Sequence, residues 1–139
     1  MSHWVVDASA AVEILLRTET GERAWAVIES GHALAPDLLD AEVLAVFRRE
    51  HLRGVLAASR AEEALDDLAH WDIERLACAS LVTRAWRYRH NVSAYDALYL
   101  AAGHVTGAAL LTAGGPLARA PKSDVSIYDL RIPATYGGR

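Results

Sequence analysis

The sequence contains a single cysteine, and this excludes several classes of small protein. Cys78 is the only one in 139 residues, so the chain can form neither an internal disulfide framework nor a cysteine-rich metal site. It lies in an alanine-rich stretch of helical composition, where we do not expect catalytic thiol chemistry.

Long hydrophobic runs are also missing. Hydrophobic residues make up 53% of the chain, yet no uninterrupted apolar stretch approaches the roughly 20 residues that a bilayer span needs. The amino-terminal stretch carries Asp7 and Glu13 and lacks a basic region, unlike a signal peptide. We therefore expect a single compact domain over residues 1–139 with a loose tail from about 131, located in the cytoplasm and not at a membrane.

A surplus of positive charge is absent, since the formal net charge is -4. Any nucleic-acid partner must then be held by local basic patches or through a metal. This disfavours a module that only binds nucleic acid but does not disfavour a nuclease. No G-x-x-x-x-G-K or G-x-G-x-x-G stretch follows a predicted strand, so a small nucleotide-binding protein is disfavoured. The pair Gly114–Gly115 in "LLTAGGPLA" has no accompanying lysine.

What the sequence does contain is a regular exchange of short apolar runs and helical periodicity. Asp37 and Ser59 are the expected N-caps of two helices, Ser59 with Glu62 as a capping box, and Gly54 and Gly107 the expected stops. Helices are predicted over 9–17, 21–30, 37–54, 59–71, 79–91 and 93–107, and strands over 3–6, 32–36, 72–76, 108–112 and 125–130. This alternation predicts an α/β fold with a parallel sheet between helical layers.

Two acidic residues stand where a polar side chain needs an explanation. Asp7 ends the first strand, at the edge of a parallel sheet where ligands collect; the alternative is that Asp7 or Ser9 only caps the next helix. Glu42 projects from or beside the apolar stripe of its helix. This position suggests a functional role, and the alternative is a structural ion pair, for example with an arginine.

A third acid, Asp96, opens a helix among bulky apolar neighbours such as Tyr95 and Tyr99. "SAYD" can also be a capping box formed with Ser93. No lysine lies near any of the three acids in the sequence. Because clustered carboxylates repel one another, a divalent cation is the usual remedy, and Mg²⁺ or Mn²⁺ serves phosphoryl chemistry. The three acids together favour a metal-dependent phosphodiesterase.

Four motifs in order resemble a known family. "VVDASA", "LLDAEVL", "NVSAYDALYLAAG" and "LLTAGGPLA" are similar to the motifs of PIN-domain nucleases, in particular VapC toxins of bacterial type II toxin–antitoxin operons. The resemblance runs from about residue 4 to about residue 130. It implies a three-layer α/β/α sandwich, a Mg²⁺- or Mn²⁺-dependent endoribonuclease, a cognate VapB antitoxin that blocks the site, and a homodimer.

The resemblance also assigns residues. Asp7 and Asp96 match the acids that hold the metal, and Glu42 matches the acid that completes the catalytic site directly or through metal-bound water. Ser9 and Ser93 match small hydroxyl residues beside those acids, and Thr112 matches a threonine at the end of the fourth strand.

One position departs from the family pattern. Many members carry a further aspartate two residues after that threonine, and here the residue is Gly114. A second metal position or a positioned attacking water is therefore in question. The alternative function is a catalytically weakened PIN module that acts mainly through antitoxin binding and operon regulation.

Contacts with RNA need local positive charge, which two clusters offer. The residues Arg48, Arg49, His51 and Arg53 end one helix, and Arg84, Arg87, Arg89 and His90 end another. The second cluster leads towards Ser93 and Asp96, so Arg84, Arg87 and Arg89 are the predicted RNA-binding residues. The alternative for both is that cations suit helix carboxyl ends and a solvated face. His104 is interpreted as a helix-terminal surface residue rather than a catalytic base.

Overall fold

The computed structural model describes residues 2–120 and 124–132 and is built around a parallel sheet. Its strands are His3–Val6 (β1), His32–Pro36 (β2), Glu74–Leu76 (β3), Ala109–Thr112 (β4) and Ile127–Asp129 (β5), in the spatial order β3-β2-β1-β4-β5. The helices are Ala8–Leu16 (α1), Glu19–Ile28 (α2), Leu39–Leu52 (α3), Ala58–His70 (α4), Val82–Ala85 (α5), Ala94–Thr106 (α6) and Gly115–Ala118 (α7).

Helices cover both faces of the sheet. From β1 the chain moves outward through β2 to β3, and it then crosses to β4 and β5 on the other side of β1. Because parallel crossovers are right-handed, the helices of the first half lie on one face and α5 to α7 on the other. Accordingly α1 packs against α2, α3 and α4, whereas α6 packs against α5 and the central strands. The predicted α/β fold is confirmed.

The central strands are buried on both sides, which explains their unbroken apolar sequence. Val5 and Val6 of β1 and Leu110 and Leu111 of β4 are all completely buried. Alternation of apolar and polar residues is therefore absent, as expected for a parallel sheet covered by helices.

Two predicted helix starts are wrong. Asp37 does not cap α3: its Oδ1 accepts the backbone N–H of Cys78 at 3.1 Å, and α3 begins two residues later without a side-chain cap. Ser59 lies inside α4, which begins at Ala58 and also lacks a side-chain cap. The error at Asp37 arises because its carboxylate binds a residue 41 positions away, which the local sequence does not reveal. The predicted stops are confirmed, because Gly54 and Gly107 adopt φ values of 76° and 71°.

The single helix predicted over 79–91 is also wrong. The segment forms a 3₁₀ turn over Cys78–Ser80, the short α5, and a second 3₁₀ turn over Trp86–Tyr88. Its β-branched and aromatic residues have modest helix propensity, and short helical pieces commonly tighten to 3₁₀ geometry at their ends.

Two expectations concern the ends and the membrane. The predicted tail from about 131 falls mostly on residues 133–139, outside the described residues. In the described part of the chain, none of the helices combines the length and the apolar character that crossing a bilayer requires.

Candidate active site

The predicted acidic residues meet at the carboxyl edge of the sheet, beside its central strands. The chain leaves β1 in one direction and β4 in the other, so a crevice opens between their carboxyl ends, as in other open α/β sheets. In the register of the two strands, Val6 lies opposite Leu111, and Asp7 and Thr112 are the next residues along.

Asp7 is held by a dense set of hydrogen bonds. Its Oδ1 accepts from Ser9 Oγ at 2.7 Å and from the backbone N–H of Ala10 at 2.9 Å. Its Oδ2 accepts from Thr112 Oγ1 at 2.5 Å. Asp7 is thus the N-cap of α1, as its alternative interpretation predicts, while its part in a metal site stays a prediction. A carboxylate offers about four lone-pair positions, and the one left free is on Oδ2.

Burial makes the charge of Asp7 costly. The side chain is only 4% exposed, and this burial raises its pKa from 3.8 to about 6. This net value already includes the hydrogen bonds from Thr112, Ala10 and Ser9, which lower the pKa, and the repulsion from Asp96, which raises it. The surroundings of Asp7 therefore disfavour its ionised form, and a nearby cation would favour the carboxylate.

Glu42 has a partner that the sequence did not reveal. Tyr99 donates its hydroxyl to Glu42 Oε1 at 2.7 Å, although the two residues are 57 positions apart. The predicted alternative of an arginine ion pair is wrong in the described part of the chain, where Arg75 instead pairs with Asp40 at 2.8 Å. Burial raises the pKa of Glu42, the hydrogen bond from Tyr99 lowers it, and Asp96 raises it by repulsion.

Asp96 lies in the first turn of α6. Its backbone N–H donates to Ser93 Oγ at 3.2 Å, so Ser93 caps this helix as expected. Burial raises the pKa of the Asp96 carboxyl, and a hydrogen bond with Ser93 lowers it. Because Asp96 also raises the pKa of Asp7 and Glu42, the three carboxylates share one electrostatic environment.

One cleft of about 190 Å³ brings these acids together. Its lining comprises Asp7, Ala8, Ser9, Glu42, Asp96, Tyr99, Gly114, Pro116 and Leu117. No basic side chain is among these lining residues. Tyr99 is a cleft residue that sequence reasoning did not identify as the partner of Glu42. Its position three residues after Asp96, on the same helix face, was the available signal.

The donor set fits a small oxygen-liganded cation held by few protein groups. Within residues 2–120 and 124–132, no three acidic, histidine or cysteine side chains already converge as a metal-binding group. Mg²⁺ commonly keeps several waters and takes one or two carboxylates, so the free position on Asp7 Oδ2 together with Asp96 matches that mode. Glu42 has one oxygen engaged by Tyr99 and the other without a hydrogen-bond partner among the described residues, so it could complete the site directly or through metal-bound water.

Gly114 faces the site, as its place in the motif predicts. A Cβ built on it would lie 3.3 Å from Ser9 Oγ and 3.6 Å from Thr112 Oγ1. Its backbone N–H donates to Thr112 Oγ1 at 3.0 Å, and the N–H of Ala113 donates to Ser9 Oγ at 3.0 Å. The loop therefore fixes both hydroxyls through its backbone and contributes no acid.

Of the predicted RNA-binding arginines, Arg84 is already engaged. Arg84 Nη2 contacts Asp124 Oδ2 at 2.6 Å, and Tyr88 donates its hydroxyl to Asp124 Oδ1 at 3.2 Å. His104 Nδ1 contacts the same carboxylate. His104 thus pairs with an acid outside the cleft lining, as its interpretation as a surface residue predicts.

The other two arginines of this cluster are exposed. Arg89 lies over the ring of Trp86, 5.0 Å from its centroid, and Trp86 is 68% exposed. Arg87 has neither a hydrogen bond nor an ion pair with any described residue. RNA binding by Arg84, Arg87 and Arg89 stays a prediction.

Comparisons with known proteins agree with this architecture. Ribonuclease VapC1 of Mycobacterium tuberculosis is 38% identical over 127 residues, covering 87% of this chain and 92% of the relative. Ribonuclease VapC3 of the same organism is 37% identical over 119 residues, covering 84% and 85%.

Solved structures share the fold at low identity. VapBC2 from Rickettsia felis, bound to a DNA fragment from its promoter, aligns with a TM-score of 0.65 at 10% identity over 91% of this chain and 98% of that chain. Mycobacterium tuberculosis VapC20, described as a sarcin–ricin loop cleaving toxin, aligns with a TM-score of 0.63 at 16% identity over 88% and 98%. The PIN domain family profile matches residues 4–123. The resemblance noted from the motifs is confirmed, and the chain belongs to the PIN domain family.

Proposed function

We propose that this protein is a Mg²⁺- or Mn²⁺-dependent endoribonuclease and the toxin of a VapBC-type toxin–antitoxin pair. The observation that carries the proposal is the meeting of Asp7, Glu42 and Asp96 in one cleft whose lining holds no basic side chain. The names of the relatives, ribonucleases VapC1 and VapC3, support RNA as the substrate.

Each acid has a distinct part in the proposed reaction. Asp7 and Asp96 would hold the cation, which when bound would activate water and neutralise charge on the scissile phosphate. Tyr99 keeps the Glu42 carboxylate fixed through its 2.7 Å hydrogen bond. Glu42, whose raised pKa suits a group that accepts a proton, would orient the attacking water. Ser9 and Thr112 fix Asp7, and Ser93 fixes the helix start at Asp96.

An antitoxin partner and a homodimer are part of the proposal. The structural neighbours include VapBC complexes from Rickettsia felis and Salmonella typhimurium, which supports a VapB-type partner here. Trp25, 41% exposed, helps to line a groove of about 430 Å³ together with Ile14 and Trp71. Such apolar surface is suited to an amphipathic antitoxin segment.

Cleavage assays on antitoxin-free protein test the proposal. Wild type should cleave RNA with Mg²⁺ or Mn²⁺ and lose activity in EDTA, whereas Asp7→Asn and Asp96→Asn should be inactive. Asp72→Asn is the matched control, because Asp72 is exposed and outside the cleft, and it should cleave like wild type. Metal-dependent cleavage that survives both active-site substitutions would refute the site assignment.

Gly114 favours a second candidate, a catalytically weakened module that acts mainly through its antitoxin. The loop places no carboxylate beside Ser9 and Thr112, so a second metal position lacks an evident ligand there. Failure of the wild-type protein to cleave any RNA, combined with tight antitoxin binding, would favour this second function over the first.

A further inference from the structure

Arg119 follows the loop that lines the acidic cleft, and its side chain has no hydrogen bond or ion pair with any described residue. Most described arginines are held by carboxylates or backbone carbonyls, as Arg75 is by Asp40 and Arg131 by Asp129. Among the arginines of residues 2–120 and 124–132, only Arg48, Arg87 and Arg119 have side chains without a hydrogen bond or ion pair to another described residue. Of these three, Arg119 alone follows the loop that lines the cleft.

The absence of a side chain at Gly115 makes room for this guanidinium. The Arg119 backbone N–H donates to the carbonyl of Gly115 at 2.9 Å, and the side chain turns back over that residue. A Cβ on Gly115 would lie 3.1 Å from Arg119 Cζ and 3.2 Å from Nη2. Gly115 stands between Gly114 and Pro116, both of which line the cleft.

The acidic lining of the cleft makes a nearby positive charge such as the Arg119 guanidinium favourable for binding an anionic substrate. Three carboxylates face a substrate whose phosphates are also negative, and the loop has no acid at Gly114 to hold a second metal ion. An arginine fork suits phosphate, because its planar donors match two phosphate oxygens.

We infer that Arg119, which lies over Gly115, binds an RNA phosphate adjacent to the scissile bond. This inference rests on the proposed RNA substrate. Arg119 supplies positive charge beside the loop whose Gly114 and Pro116 line the cleft. Gly115 is then a positioning residue, since its missing side chain decides where the guanidinium lies.

Binding measured without metal tests this inference separately from catalysis. The probe is a short fluorescein-labelled single-stranded RNA in EDTA, titrated with wild type, Arg119→Gln and Gly115→Ala at several salt concentrations. Arg119→Gln should weaken binding about fivefold to tenfold, and the slope of log K against log salt should become shallower by about 0.7, the value for one phosphate contact on a single strand.

Gly115→Ala keeps the charge but displaces the guanidinium, so it should weaken binding similarly. The double variant should bind no worse than Arg119→Gln, because both changes remove one contact. Arg17→Gln is the charge-matched control: Arg17 follows the far end of α1, the helix that Asp7 caps. It should leave binding and slope unchanged.

Three results would overturn the inference. The first is an unchanged slope for Arg119→Gln. The second is an equal loss of RNA affinity in Arg17→Gln, which would indicate that only the overall positive charge matters and not a contact at Arg119. The third is normal RNA binding by Arg119→Gln with weakened binding of the antitoxin, which would assign the arginine to a protein contact. The wild-type protein could also bind RNA through Arg119 and yet never cleave it. That result would refute the proposed function and leave the inference about Arg119 intact.

Discussion

Replacing Asp7 by asparagine should abolish activity and should make the metal-free protein progressively more stable relative to wild type as the pH rises from 4 to 7. The rise of the Asp7 pKa from 3.8 to about 6 corresponds to about 3 kcal/mol between its two protonation states. Because the folded pKa lies above the unfolded one, the wild type has no such cost below about pH 4. The cost grows as pH rises and is complete above about pH 6.

Asparagine does not titrate, so the difference in unfolding free energy between the variant and wild type should shift by about 3 kcal/mol in favour of the variant between pH 4 and pH 7. The offset at low pH reports changed hydrogen bonds with Ser9 and Thr112, and the shift with pH reports the charge. Urea unfolding in EDTA across this range gives the measurement.

Asp72→Asn is again the control, and its stability curve should run parallel to that of wild type, because Asp72 is exposed. Adding Mn²⁺ at pH 7 should stabilise the wild type and leave Asp7→Asn unchanged, since only the native carboxylate site binds the ion. A constant difference between Asp7→Asn and wild type at every pH would refute the reasoning, because burial would then impose no charge-dependent cost.

Three further substitutions test the rest of the site. Tyr99→Phe removes the hydrogen bond that lowers the pKa of Glu42, so the acid limb of the pH–rate profile for RNA cleavage should move to higher pH; an unmoved limb would contradict this role. Thr112→Val removes the hydroxyl that donates to Asp7 Oδ2. It should lower the free energy of unfolding by about 1–3 kcal/mol in urea titrations at pH 7. An unchanged free energy would contradict this expectation and would indicate that water replaces the hydroxyl. Gly114→Asp adds a carboxylate to the loop at a position whose backbone φ of -101° and ψ of 137° suit any residue. It should therefore lower the metal concentration needed for half-maximal cleavage, and an unchanged metal dependence would count against a ligand role.

The sequence predicted the frame of the site but not the contacts that complete it. β1, β2 and β4 were readable as apolar runs, and the edge where their carboxyl ends meet followed from parallel pairing. The hydrogen bond from Tyr99 to Glu42 spans 57 positions and that from Cys78 to Asp37 spans 41. No periodicity records such pairs, since they depend on how α3, α6 and the loop after β3 pack. The wrong N-cap at Asp37 and the hidden partner of Glu42 have this one cause.

The parallel fold itself reduces the repulsion among the three acids. Asp7 caps α1, Glu42 lies in the first turn of α3, and Asp96 lies in the first turn of α6. Helices that follow parallel strands begin at the carboxyl edge of the sheet, so three positive helix ends point towards one cleft. Each end stabilises a carboxylate by about 0.3–1 kcal/mol, whereas the net rise of the Asp7 pKa corresponds to about 3 kcal/mol against its ionised form. The helix ends therefore offset only part of the cost of three ionised acids, and the proposed divalent cation, if bound, would offset the remainder.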